Sequence, residues 1–147
     1  MSNSLRGMIA GLVATLVLTV VMQVKVSMGL WSDSSLIQLL INLGSLTTVQ
    51  AWMDHFIIGV AVWGLVMGAI DGLYPATAHW LKGLIIGVAA WLLMMVAFMP
   101  LAKAGFFGSK LGPSGALVTL GYHVLYGLVL GIAYGLLTAW APAKPQT

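Results

Sequence analysis

Two histidines, His55 and His123, sit inside apolar stretches, in HFIIG and HVLYG, and a glycine follows each four residues later, Gly59 and Gly127. An imidazole with a glycine one helical turn away can ligate the iron of a b-type haem, because the missing side chain leaves room for the porphyrin edge. Phe56, Trp63, Tyr122 and Tyr126 could wall such a ring. A copper-type metal ion is the other cofactor these residue types allow, with Met53, Met94, Met95 or Met99 adding thioethers. A proton or ion path is a further use of the same rings. Against these stands a plainer reading, that each imidazole hydrogen-bonds a neighbour and fixes helix packing.

The charged residues are few. Asp54 adjoins His55, and Lys25 is expected at about the same depth in the preceding helix. A charge inside a bilayer pairs or faces a cavity, so Lys25 and Asp54 are expected to form an ion pair near one mouth of the bundle. The alternative is that Lys25 snorkels to the interface and Asp54 caps its helix. Asp71, at the end of the second span, and His79, in the loop before Lys82, are expected to be solvated; Asp71 could pair weakly with Lys82, and His79 carries little functional weight. The chain has no Glu, and Asp33, Asp54 and Asp71 are far apart in sequence. No G-x-S-x-G elbow, phosphate loop or H-E-x-x-H element is present. The expectation is a protein that is not an enzyme, with no catalytic residues.

The solvent that could hold these residues follows from composition. Of 147 residues, 61% are hydrophobic and 6% charged, against roughly 25% charged in a soluble domain. A surface facing water cannot be built from that supply, so the lipid bilayer is the expected partner. The net charge of +3 comes from scattered basic residues, which argues against nucleic acid. Cysteine is absent, which excludes disulfides and thiolate sites.

A spanning helix needs about 20 apolar residues. Four such stretches are expected, at about 7–28, 50–72, 80–101 and 117–140. The first is too long for the apolar core of a signal peptide and is read as a retained span. The predicted fold is therefore all-α, a four-helix transmembrane bundle forming a single membrane domain over 1–147. Between the first two spans, Leu36, Ile37, Leu40 and Ile41 recur at helical spacing with Ser34, Gln38 and Asn42 opposite. Asp33 is a plausible cap and Gly44 a plausible stop, so a short amphipathic helix in the interface is expected. AGFFGSKLGPSGA, before the last span, reads as turn.

The first span opens RGMIAG and the third KGLIIG, 76 residues on; the second holds HFIIG and the fourth HVLYG, 68 residues on. Two tandem hairpins, 1–76 and 77–147, are expected, facing the same way and related by a pseudo-twofold axis along the membrane normal. That would set His55 and His123 at equal height on facing helices. Glycines recur every four residues at Gly7 and Gly11, Gly64 and Gly68, Gly83 and Gly87, and Gly127, Gly131 and Gly135. Such stripes let helix backbones approach closely, within one chain or between copies in a homo-oligomer. Lysines and arginine are shared evenly between the two ends, and the free amino terminus tips both termini toward the cytoplasm.

With MDHFIIG, KGLIIGVAAWLLMM and GYHVLYGLVLGIAYG, the chain resembles small bacterial inner-membrane proteins of the YagU-like kind, which share glycine-spaced helices and an H-x-x-Y-G element, here His123, Tyr126 and Gly127. The resemblance implies a multi-pass inner-membrane protein and brings no mechanism. Three roles follow as expectations: a ligand-binding membrane protein centred on Lys25, Asp54, His55 and His123, a small transporter or channel using the same cluster, or an accessory subunit of a larger membrane complex.

Overall fold

The computed structural model describes residues 1–29 and 36–140, so Trp31, Asp33, Ser34 and Lys144 lie outside the described residues. Four helices are long and apolar enough to cross a membrane: α1 (Asn3–Ser27), α3 (Thr48–Leu73), α4 (His79–Leu101) and α5 (Pro113–Ala139). At 1.5 Å per residue each reaches about 34–40 Å, enough for a hydrocarbon core of about 30 Å. No strand occurs among the described residues.

The helices begin earlier than the apolar runs, because capping chemistry sets their starts. Ser2 accepts the Leu5 N–H at 3.2 Å and opens α1. Thr47 and Gln50 form a reciprocal capping box at the start of α3, and Pro113 opens α5 with its fixed φ.

The spans lie side by side in the order α3, α1, α5, α4, with α3 and α4 meeting chiefly between Gly64–Leu73 and the early turns of α4. Glycine determines how closely each hairpin closes. A Cβ on Gly64 would stand 2.7 Å from the Gly7 carbonyl oxygen, and one on Gly11 would stand 2.7 Å from that of Gly59. In the second hairpin, Cβ atoms on Gly83 and Gly127 would each run into the other residue's carbonyl, and one on Gly87 into that of His123. No side chain fits at such separations, so these backbones touch directly. The central α1–α5 seam is closed differently, by fully buried Ala10 and Ala14 in one cluster with Tyr126, Leu130 and Tyr134. Large aliphatics such as Val20, Val62, Ile85, Leu117 and Ile132 are left facing outward, as a lipid-facing surface requires.

Two spans widen locally into π-helix. In α4 this happens over Met94–Phe98, just before Pro100. Proline has no N–H to give the carbonyl four residues back, and the Met99 N–H reaches instead to Met94. In α3 the stretch is Ile57–Trp63, and it carries one extra residue past the seam with α1.

The short helix α2 (Leu36–Gly44) packs on the first turns of α3. Ile37 is buried, while Gln38 and Asn42 are exposed and bonded to each other at 3.1 Å. Gly44 is its last residue, but the left-handed stop is Ser45, at φ +52°, with the Leu46 N–H closing on Ile41 at 3.1 Å. The connection before α5 is not all turn. Phe106–Leu111 forms two short 3₁₀ pieces joined at Phe107 and Gly108, both at positive φ.

Candidate functional site

The polar chemistry gathers at the end of the bundle where α1 and α4 begin. Asp71, in the last turn of α3, is 8% exposed; Lys82, in the first turn of α4, is 2% exposed. Lys82 Nζ donates to Asp71 Oδ1 at 2.6 Å, and His79 Nε2 meets the same oxygen at 3.1 Å. Tyr134 of α5, fully buried, donates its hydroxyl to Asp71 Oδ2 at 3.0 Å and has its ring 5.5 Å from that of His79. Arg6 of α1 lies against the Tyr134 hydroxyl, and its Nη1 donates to Asn3 Oδ1 at 3.4 Å. Asp71 of α3 is thus met by side chains of α4 and α5, and Arg6 of α1 reaches it through the Tyr134 hydroxyl. Two cations, Arg6 and Lys82, face one anion, Asp71.

Asp71 and His79, expected in solvent, are buried and half-buried, and His79 is the first residue of α4 instead of part of the loop before it; the expected pairing of Asp71 with Lys82 is present and buried. Asp71 lies within a turn of its helix end, as expected, but its carboxylate is covered by Tyr134 of α5 and by His79 and Lys82 of the first turn of α4. The available signal was the pair R-G and K-G opening α1 and α4, which sets Arg6 and Lys82 one position ahead of the closest helix contacts.

The histidines are not brought together as expected. Gly59 looks onto Thr15 of α1, and Gly127 looks onto Gly83 of α4, so the two predicted faces pack on different helices. Gly87 meets the His123 carbonyl in the way that Gly11 meets that of Gly59. The buried His55 sits 3.3 Å from Thr19 Oγ1 through Nε2, and Trp52 and Phe56 contact its ring edge-on. His123 Nδ1 donates to the Thr119 carbonyl of its own helix at 2.8 Å. Both rings thus make the neighbour contacts of the plainer reading. Among the cofactor-wall residues, Tyr126 donates instead to the Gly59 carbonyl at 2.5 Å, beside the π-helical turn.

Lys25 and Asp54 are both half-buried near the opposite end, in the last turn of α1 and the second turn of α3. The ion pairs shown among the described residues both end on Asp71. Met94, Met95 and Met99 are buried together with Ala104 against Trp91. Among the described residues no group of three His, Cys, Asp or Glu is placed to hold a metal. The predicted packing glycines Gly59, Gly64, Gly68, Gly127, Gly131 and Gly135 all face a partner helix within the chain.

Four apolar spans closed by glycine and joined by a polar centre define a multi-pass membrane protein of helical-bundle type. The chain belongs to DUF6789, a family of unknown function whose pattern it matches over residues 1–144. No curated protein and no solved structure matches it.

Proposed function

We propose that the chain is a non-enzymatic, multi-pass membrane protein whose working part is the ionic centre on Asp71, a binding centre for a small charged ligand. The observation that carries this is a single buried carboxylate contacted from α3, α4 and α5, with Arg6 of α1 one hydroxyl away. A clamp alone would be better made from apolar residues, since exchanging a buried ion pair for hydrophobic side chains is often neutral or stabilising. Ionisable groups kept inside spans therefore point to function.

The two hairpins belong to this reading as a tandem duplication. Asn3 and His79, Arg6 and Lys82, Gly7 and Gly83, and Gly11 and Gly87 correspond at an offset of 76 residues. Gly64 and Gly127, Gly68 and Gly131, and Asp71 and Tyr134 correspond at 63, whereas Gly59 and His123 correspond at 64. The one-residue change falls where α3 is π-helical. Arg6 and Lys82 thus fill matching positions around matching Asp71 and Tyr134. A bacterial inner-membrane location with cytoplasmic termini, and kinship with YagU-like proteins, are part of the same proposal.

A transporter reading has one observation in its favour: the α3–α4 seam touches mainly at the Asp71 end, whereas its counterpart, α1–α5, packs along its length. Haem or metal at these rings would leave the His123 Nδ1 bond to the Thr119 carbonyl in place with Nε2 as ligand, whereas ligation through His55 Nε2 would displace its contact with Thr19. An absorption spectrum with metal analysis of gently solubilised protein tests that version, which predicts a Soret band or stoichiometric metal lost in both His55→Ala and His123→Ala.

The binding reading is tested by thermal unfolding of purified protein across a panel of small anions and cations. At least one solute is expected to raise the Tm of wild type and to lose that effect in Asp71→Asn and Arg6→Gln. A panel that shifts all three proteins equally contradicts it.

A further inference from the structure

The centre has more positive charge than Asp71 answers. Lys82 and His79 share Oδ1, and Tyr134 donates to Oδ2, so both carboxylate oxygens already have partners. Among the described residues, the polar groups shown against Arg6 are neutral, the Asn3 amide oxygen and the Tyr134 hydroxyl. Its Nε is buried without a hydrogen-bond partner, and among the described residues no carboxylate lies within ion-pair distance of its guanidinium. A buried guanidinium N–H left without an acceptor is costly. The usual solution is an oxyanion, because the planar guanidinium fork matches phosphate and carboxylate oxygens two at a time.

Position narrows the class. Arg6 and His79 stand in the first turns of α1 and α4, the ends that a bilayer crossed by these helices would hold near its headgroups. His79, with 30% of its side chain exposed, is the open edge of the centre. The first turn of α4 has no side-chain cap, so its leading N–H groups face the same rim. Basic side chains between transmembrane helices near the headgroups are a recurrent way of holding phosphate groups.

Resting on the binding reading above, we propose that Arg6, with His79 at the rim, is the receptor for a phosphate-class oxyanion, supplied either by an anionic phospholipid headgroup or by a free phosphate compound. Lys82 stays on Asp71 and sets the depth, and Arg6 makes the contact.

The test uses full-length protein in mild non-ionic detergent. Native mass spectrometry measures retention of phosphatidylglycerol against phosphatidylcholine, and thermal unfolding is followed with inorganic phosphate, pyrophosphate and acetate. Wild type is expected to prefer phosphatidylglycerol about tenfold, a difference near 1.4 kcal/mol, if the source is lipid. It is expected to be stabilised by phosphate or pyrophosphate more than by acetate if the source is free. Either preference should vanish in Arg6→Gln and persist in part in Arg6→Lys, with His79→Ala as a second variant that leaves α1 intact. Equal, Arg6-dependent stabilisation by acetate would keep the binding reading and overturn the phosphate class. Wild type and Arg6→Gln indistinguishable in every arm, with matching helical content, would overturn both.

Discussion

The side chains that matter most are those whose partners lie on another helix. Asp71 is one: removing its charge strands Lys82 in a buried site, and breaking a buried pair costs about 3–5 kcal/mol. Asp71→Asn should therefore lower unfolding stability by that order in micelles or bicelles. The double variant Asp71→Leu with Lys82→Met should recover most of the loss. His55 is a milder case. Its contact with Thr19 is a neutral interhelical bond, of a kind averaging about 0.6 kcal/mol in membrane proteins. A double-mutant cycle of His55→Ala and Thr19→Ala should return a coupling of about that size, and a much larger coupling would mean that His55 does more than pack. These roles were only partly legible in the sequence. His55 and His123 were found as polar residues in apolar runs, but which ring meets which helix depends on the α3–α1 and α5–α4 pairing. Asp71 was found and misjudged, since a residue two positions from a helix end reads as solvated until the next helix is seen to fold over it.

At the scale of the helix, legibility was high where the signal was composition and low where it was geometry. Four spans, the amphipathic α2 and the glycine stripes follow from apolar length and four-residue spacing. The π-helical turns left no comparable mark. Pro100 accounts for the one in α4, but nothing in HFIIGVAVWG announces that α3 carries an extra residue there. Aligning the two His-x-x-x-Gly elements sets Gly59 against Gly127, but Gly59 packs on Thr15 whereas Gly127 packs on Gly83, so the two elements do not meet equivalent partners. The glycines themselves give a sharp contrast. Gly127→Ala puts a methyl into the Gly83 carbonyl and should destabilise by about 1–3 kcal/mol through overpacking. Gly121→Ala has open space around it in the same helix and should be neutral or stabilise by about 0.5–1 kcal/mol. Unfolding midpoints of the two variants check this directly, and similar losses in both would contradict direct backbone contact at Gly83.

For the whole molecule, hydrophobic burial sorts the chain into the bilayer but does not choose how hairpins pair, because lipid is as apolar as the helices. Glycine contact closes each hairpin, small alanines close the α1–α5 seam, and the ionic centre ties α3 to α4. The glycine stripes are spent within the chain, so a homo-oligomer or a larger complex would have to use the outward aliphatic faces. Substituting Ala10 or Gly7 should accordingly lower stability without changing oligomeric state in light scattering of the detergent complex. The claim on which the account depends most is that Asp71 and Lys82 act as one unit joining the two halves. A double-mutant cycle of Asp71→Asn and Lys82→Gln, followed by unfolding in bicelles, tests it most directly. The account predicts strong coupling, with the double variant little worse than either single one; additive losses would contradict it.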